Sequence, residues 1–247
     1  MIATFVLSPA AAKRLIARGV INEPVFRHAY TTGKVIICVG TTNSYIAHEL
    51  GLINAQEQRL FAAGVISKGL PCVTADNRLS HICLEKGQRI EADWVEFLNG
   101  FGRDDVFIKG ANAFDASGNA AVLMANPSGG TVGASFGILA ARGSHVIIPV
   151  GHEKMIPSCQ AAAKVMGIKR IDSSLGLRCG LAILPLGQIY TEINALNTLF
   201  GVDATIVSAG GVDGSEGSIM LAVEGKKQQV QAALTMARSL LKEKPLS

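Results

Sequence analysis

Apolar residues in this chain gather in short unbroken runs that end at glycine or proline, the pattern of strands buried on both faces. VIICVG at 35–40, DDVFIKG at 104–110 and HVIIPVG at 145–151 are three such runs. Helix-like stretches follow them: TTNSYIAHEL after the first, VGASFGILAARG after a glycine-rich loop beyond the second, and PSCQAAAKVMG after the third. Strands alternating with helices predict a parallel sheet with right-handed crossovers.

The flanking segments read differently. SPAAAKRLIAR at 8–18 predicts a short helix with Ser8 as cap and Pro9 in its first turn, closed by Gly19 in a left-handed cap. From Phe61 to Arg89 short apolar runs alternate with turns, in AAGVIS, LPCVTA and HICLEKG, which predicts a β insertion over about 61–90, with a helix at 91–98 after it. The tail gives a strand (LAILPL at 181–186), a helix (TEINALNTLFG), two strands (DATIVSAG, GSIMLAVEG) and a helix over 226–242. That βαββα order predicts a ferredoxin-like subdomain. The expected fold is therefore α/β, with a Rossmann-like, mostly parallel sheet flanked by helices over 1–178 and the α+β subdomain over 179–247.

Composition agrees with a thick core. Charged residues make up 17% of the 247 positions, against a usual value of about 25%. The net charge of +4 is dispersed, with no basic run longer than Lys226-Lys227, so nucleic acid is not an expected partner. Cys38, Cys72, Cys83, Cys159 and Cys179 form an odd set without CxxC spacing, which reads as buried thiols in a reducing compartment and no zinc site. No apolar run approaches the roughly 20 residues a bilayer demands, and a cytoplasmic location without membrane partners is expected.

Candidate chemistry clusters at the strand ends. After Gly40, the hydroxyl-bearing Thr41 and Thr42 and the amide Asn43 open a helix, whose free N–H groups and dipole favour an anion; Thr42 or Asn43 as a plain helix cap is the alternative. Lys109 ends a highly apolar strand and calls for an anionic partner or a ligand, with Asp115 as a candidate partner; Asn112 and Asn119 lie in the same loop, although Asp115 to Asn119 also reads as an ordinary turn. Gly129, Gly130 and Thr131 form a second anion nest or a tight turn. His152, Glu153 and Lys154 follow the third strand, where they provide proton-transfer groups or a surface loop. Neither the Walker lysine nor GxGxxG is present, and Gly151-His152-Glu153-Lys154 does not match a zinc motif. No cofactor or metal is expected. Three strand ends would deliver these groups to the carboxyl edge of one sheet, where open α/β sheets bind ligands.

GKVIICVGTTNSYIAHELG resembles the strand, glycine-threonine loop and helix that open type A ribose-5-phosphate isomerases. DDVFIKGANAFDASGNAAVLMANPSGG resembles that family's second strand, acidic loop and glycine cluster, and SHVIIPVGHEKMI its following strand and lysine. In order and spacing the likeness covers about three quarters of the chain, at the level of a superfamily that also holds glucosamine-6-phosphate deaminases and CoA transferases. It implies the fold above, a small phosphorylated or carboxylated metabolite as ligand, a homodimer or homotetramer, and enediolate chemistry with Asp115 or Glu153 as base and Lys109 or Lys154 beside the developing oxygen. The chain departs from the isomerase pattern where Lys109 and Asn112 replace loop aspartates and no glutamate follows the glycine cluster. An acyl or CoA transferase, or a non-catalytic metabolite-binding protein, are the other readings. Glu216, between glycines in the tail, reads as a hairpin residue.

Overall fold

The computed structural model describes residues 1–62, 66–67, 69–71 and 77–246. Cys72 and most of LPCVTA lie outside the described residues. In chain order the elements are β1 (Ile2–Leu7), α1 (Pro9–Asn22), α2 (Pro24–Thr32), β2 (Lys34–Ile37), α3 (Thr41–Glu49), α4 (Glu57–Phe61), β3 (Ile82–Glu85), β4 (Gln88–Ile90) and α5 (Trp94–Leu98). They continue with β5 (Val106–Ile108), β6 (Ala113–Phe114), β7 (Ala120–Met124), α6 (Gly130–Arg142), β8 (His145–Pro149), α7 (Cys159–Val165), β9 (Gly180–Ile183), β10 (Gln188–Tyr190), α8 (Glu192–Phe200), β11 (Asp203–Ala209), β12 (Ile219–Glu224) and α9 (Lys227–Leu240). Among the described residues no helix is long and apolar enough to cross a membrane.

The protein is mixed α/β, built on a six-stranded sheet of order β10-β8-β5-β2-β3-β4. β10, β8, β5 and β2 run parallel to one another, and β3 and β4 extend the β2 edge as an antiparallel hairpin. The predicted runs thus became β2, β5 and β8, and residues 82–90 of the predicted β insertion join the same sheet as β3 and β4. Period-two alternation divides the strands between two cores. Val35, Ile37, Val106, Ile108 and Ile147 pack on one face with residues of α1, α2, α3, α8 and α9. Ile36, Cys38, Phe107, Val146 and Ile148 pack on the other with Leu98, Phe136 and Leu139 of α5 and α6. Parallel strands covered on both sides explain the unbroken apolar runs and the low charge content.

The tail is assembled differently from its expected βαββα unit. The strand at 180–183 pairs with β7 in a separate sheet, β6-β7-β9, and β10 joins the main sheet beside β8. β11 and β12 are completed by the N-terminal β1, in the order β1-β12-β11. The two ends of the chain therefore build one sheet, whose buried side, with Leu221 and Val223, enters the same core as α1.

Gly19 is not a helix cap. α1 runs through it to Asn22, and a Cβ at Gly19 would lie 2.6 Å from Ala195 Cβ and 2.7 Å from Ala195 Cα. Its bare Cα is what lets α1 and α8 touch. Gly19→Ala is expected to cost about 1–2 kcal/mol in urea unfolding, because the strain of parting two packed helices outweighs the better helix propensity. An unchanged midpoint would mean that the two helices separate freely.

Candidate functional site

Four adjacent parallel strands end at one edge. Beyond β2 come Gly40, Thr41, Thr42 and Asn43; beyond β5, Lys109; beyond β8, His152, Glu153 and Lys154; and beyond β10, Thr191 and Glu192. The Asn43 amide donates to Cys38 O (2.8 Å) and Ile108 O (3.3 Å), which ties the exits of β2 and β5 together, and its Oδ1 is buried without a partner. Thr42 Oγ1 is likewise buried and unpartnered. Thr42 and Asn43 are thus enclosed, and Gly40 caps α3 with its N–H donating to Phe61 O (2.8 Å).

Two cavities flank this edge. The smaller, about 260 Å³, is lined by Lys109, Asn112, Gly129, Gly130 and Thr131, together with Val39 and Arg78. The larger, about 700 Å³, is lined by Lys13, Thr41, Tyr45, Ser218 and the C-terminal residues beyond Leu240. The single hollow expected from the sequence is therefore divided: the loop lysine and the glycine nest share a cavity, whereas Thr41 lines the other and Thr42, Asn43 and Gly40 line neither.

The small cavity is floored by the start of α6. Gly129 and Gly130 both have positive φ, 81° and 54°, and the first N–H to close onto the helix is Gly133, donating to Gly129 O at 3.1 Å. The amides of Gly130, Thr131 and Val132 are those a helix leaves without intrahelical acceptors. Thr131 Oγ1 lies 3.1 Å from His81 Nε2, and His81 Nδ1 accepts from Val39 N–H at 3.3 Å. An accepting Nδ1 makes the ring a neutral Nε2–H tautomer. Burial, helped by Lys109 and Arg78, pushes the imidazole down to about 4.

Lys109 projects from the strand end into this cavity, and its one hydrogen bond among the described residues is to Gly110 O at 3.3 Å. No carboxylate pairs with it among the described residues. Burial lowers its pKa, and the group beside it is the Cys38 thiol, which burial pushes up to about 12 and so keeps neutral. Asp115 is not its counter-ion, contrary to the sequence expectation. The Asp115 carboxylate accepts from the backbone N–H groups of Ser117, Asn119 and Cys159 and from the Asn119 amide, and Cys159 N–H foremost holds it below the usual carboxylate range. It closes its own turn and caps the start of α7, which leaves no role as base. Asp115→Ala is expected to lower the melting temperature by several degrees and leave ligand binding intact; lost binding with unchanged stability would contradict that assignment.

Lys154 donates to Ala111 O at 3.0 Å. Burial pushes it down to about 8, with Lys13 and Lys109 lowering it and Glu153 and Glu192 raising it. Glu153 Oε1 pairs with Lys13 at 2.6 Å, and its Oε2 is buried without a partner. Gly151 makes room for this carboxylate, since a Cβ there would collide with Glu153 Oε2. Glu192, fully buried, accepts from His152 N–H (3.1 Å) and faces His152 Nδ1 at 2.7 Å. Lys13, His81, Arg78 and Glu192 were not foreseen in the sequence. A Thr-Glu pair at a helix start after QIY was the available signal for Glu192, whereas Lys13 meets Glu153 across 140 residues with no local trace.

The edge thus offers a cavity of metabolite size, backbone donors and, among the described residues, an amine without an acid and a carboxylate oxygen without a donor. Comparison of the sequence with protein-family models finds no match, and comparison with curated proteins finds none.

Proposed function

We propose that this protein binds a small phosphorylated or carboxylated metabolite in the cavity between Lys109 and the start of α6. The observation that carries this reading is Lys109 itself, an amine drawn out of bulk water, without an acid partner among the described residues, in the wall of the cavity that the Gly129–Thr131 nest also lines. A buried cation without a counter-charge is costly, and an anionic ligand supplies that charge. The amides of Gly130 and Thr131 hold the anionic group at the positive end of the helix. The same arrangement is in keeping with the resemblance to the sugar-phosphate isomerase and CoA-transferase superfamily and its Rossmann-like core.

The chemistry this edge would supply is isomerase-like, with Glu153 as base and Lys154 beside the oxygen that gains charge, and it would need the ligand to reach past the Lys109 cavity, which neither residue lines. Asp115, committed to its turn, is excluded from that role. A non-catalytic binding protein is the second reading, favoured by the loss of this carboxylate from the set of bases.

Thermal shift against inorganic phosphate, sugar phosphates and small carboxylates tests the proposal. A ligand at about 100 times its Kd is expected to add about 2.7 kcal/mol, which is roughly 5–10 °C for a chain of this size. No response to any of them would sink it.

A further inference from the structure

Taking the anion site as the reading above has it, the structure assigns a second property to Lys109: we infer that its amine forms an imine with the aldehyde or ketone carbonyl of the bound metabolite. Four observations converge. The amine lines a cavity, so a ligand reaches it. It lacks a carboxylate to hold it as ammonium among the described residues, and its one bond is a long one to Gly110 O (3.3 Å). Among the described residues its neighbourhood is otherwise neutral or cationic, with the buried Cys38 thiol, the neutral His81 ring and Lys154 around it. Gly130 and Thr131 line the same cavity, so an anionic group held on their amides keeps the carbonyl end of a short metabolite within the space that the amine also lines. Desolvation and neighbouring cations are the means by which a lysine becomes a nucleophile near neutral pH.

The two lysines divide the work. Lys154 has Glu153 and Glu192 to favour its charged form and a carbonyl to receive its proton. Lys109 has neither acid. In the step inferred, the unshared pair of Lys109 Nζ attacks the carbonyl carbon and one proton of the nitrogen passes to the oxygen, giving a carbinolamine. Loss of the hydroxyl with the second proton of the nitrogen releases water and leaves C=N, so no oxidant, reductant or further reactant is consumed.

Reductive trapping on the full chain tests this. Glyoxylate, pyruvate, glyceraldehyde 3-phosphate and dihydroxyacetone phosphate are each incubated with the protein and sodium cyanoborohydride, followed by intact mass and peptide mapping. The expected result is a single adduct on Lys109, suppressed at least about tenfold by excess inorganic phosphate and absent from both Lys109→Met and Lys109→Gln. Adducts spread over exposed lysines, or on Lys154 with Lys109 unmodified, would overturn the inference. Thermal shift with inorganic phosphate alone separates the two proposals. Phosphate stabilisation without an adduct overturns imine formation and leaves the anion site standing, whereas a Lys109 adduct indifferent to phosphate supports the imine and removes the anion site.

Discussion

Lys109→Met is expected to raise the melting temperature by roughly 5 °C and to weaken phosphate binding about 100-fold. The two effects share one cause. Folding draws the amine out of water without giving it an acid among the described residues, so methionine, of similar length and apolar, relieves a desolvation penalty of about 2 kcal/mol. The same change removes the charge that an anion in the cavity would meet. Lys154→Met is the control, because Glu153 and Glu192 favour the Lys154 cation and its removal leaves them less compensated; no comparable gain is expected there. Melting curves with and without phosphate for both variants check the prediction. A less stable Lys109→Met that keeps its phosphate response would show that Lys109 has an acid partner and that the anion lies elsewhere.

Stability given up at one lysine is consistent with how functional sites are built, where local consistency fails because a ligand is needed to complete it. Other parts of the edge show the same incompleteness. Thr42 Oγ1, Asn43 Oδ1 and Glu153 Oε2 are buried polar atoms without partners, and all three follow the ends of parallel strands. Buried polar atoms are nearly always satisfied; Gln58 Nε2 and Ser218 Oγ are the others left open among the described residues, and three of the five fall at this one sheet edge.

What the sequence could disclose was set by range. β2, β5 and β8 declare themselves by local composition, and because parallel strands align their ends, the convergence of Lys109 with residues after β2 and β8 follows from three local readings. For Asp115 the sequence left a partner of Lys109 and an ordinary turn both open, and the hydrogen bonds favour the turn: Ser117, Asn119 and Cys159 supply it with N–H groups, the last from 44 residues away. The tail was misjudged because strand partners are not written in a strand's own pattern. LAILPL is an unbroken apolar run that suits either sheet, and the pairing of β1 with β12, Ile2 opposite Glu224, closes the ends of the chain on one another. Nor does periodicity divide a sheet edge into two cavities. That division depends on how deeply Thr42 and Asn43 sink beside Cys38 and Ile108, a matter of packing rather than of motif.

Acid is expected to destabilise the fold by up to about 3 kcal/mol through His81 alone. In the unfolded chain its imidazole takes a proton near 6.5, while in the folded protein it does so only near 4. Between those values the unfolded state binds more protons, so stability falls as the pH falls and the loss levels off below about 4. The structural consequence is specific. Protonated Nδ1 can no longer accept from Val39 N–H, and a new cation appears near Lys109 and Arg78, so the bridge from the end of β2 to Thr131 in the anion loop is the part that gives way. Urea unfolding at steps from pH 7 to pH 4 should trace this loss, and His81→Asn, which cannot take the proton, should flatten the curve in that interval whatever its stability at pH 7. A wild-type curve that is flat from pH 6.5 to 4, or an identical slope in the variant, would show that His81 is not a neutral bridge.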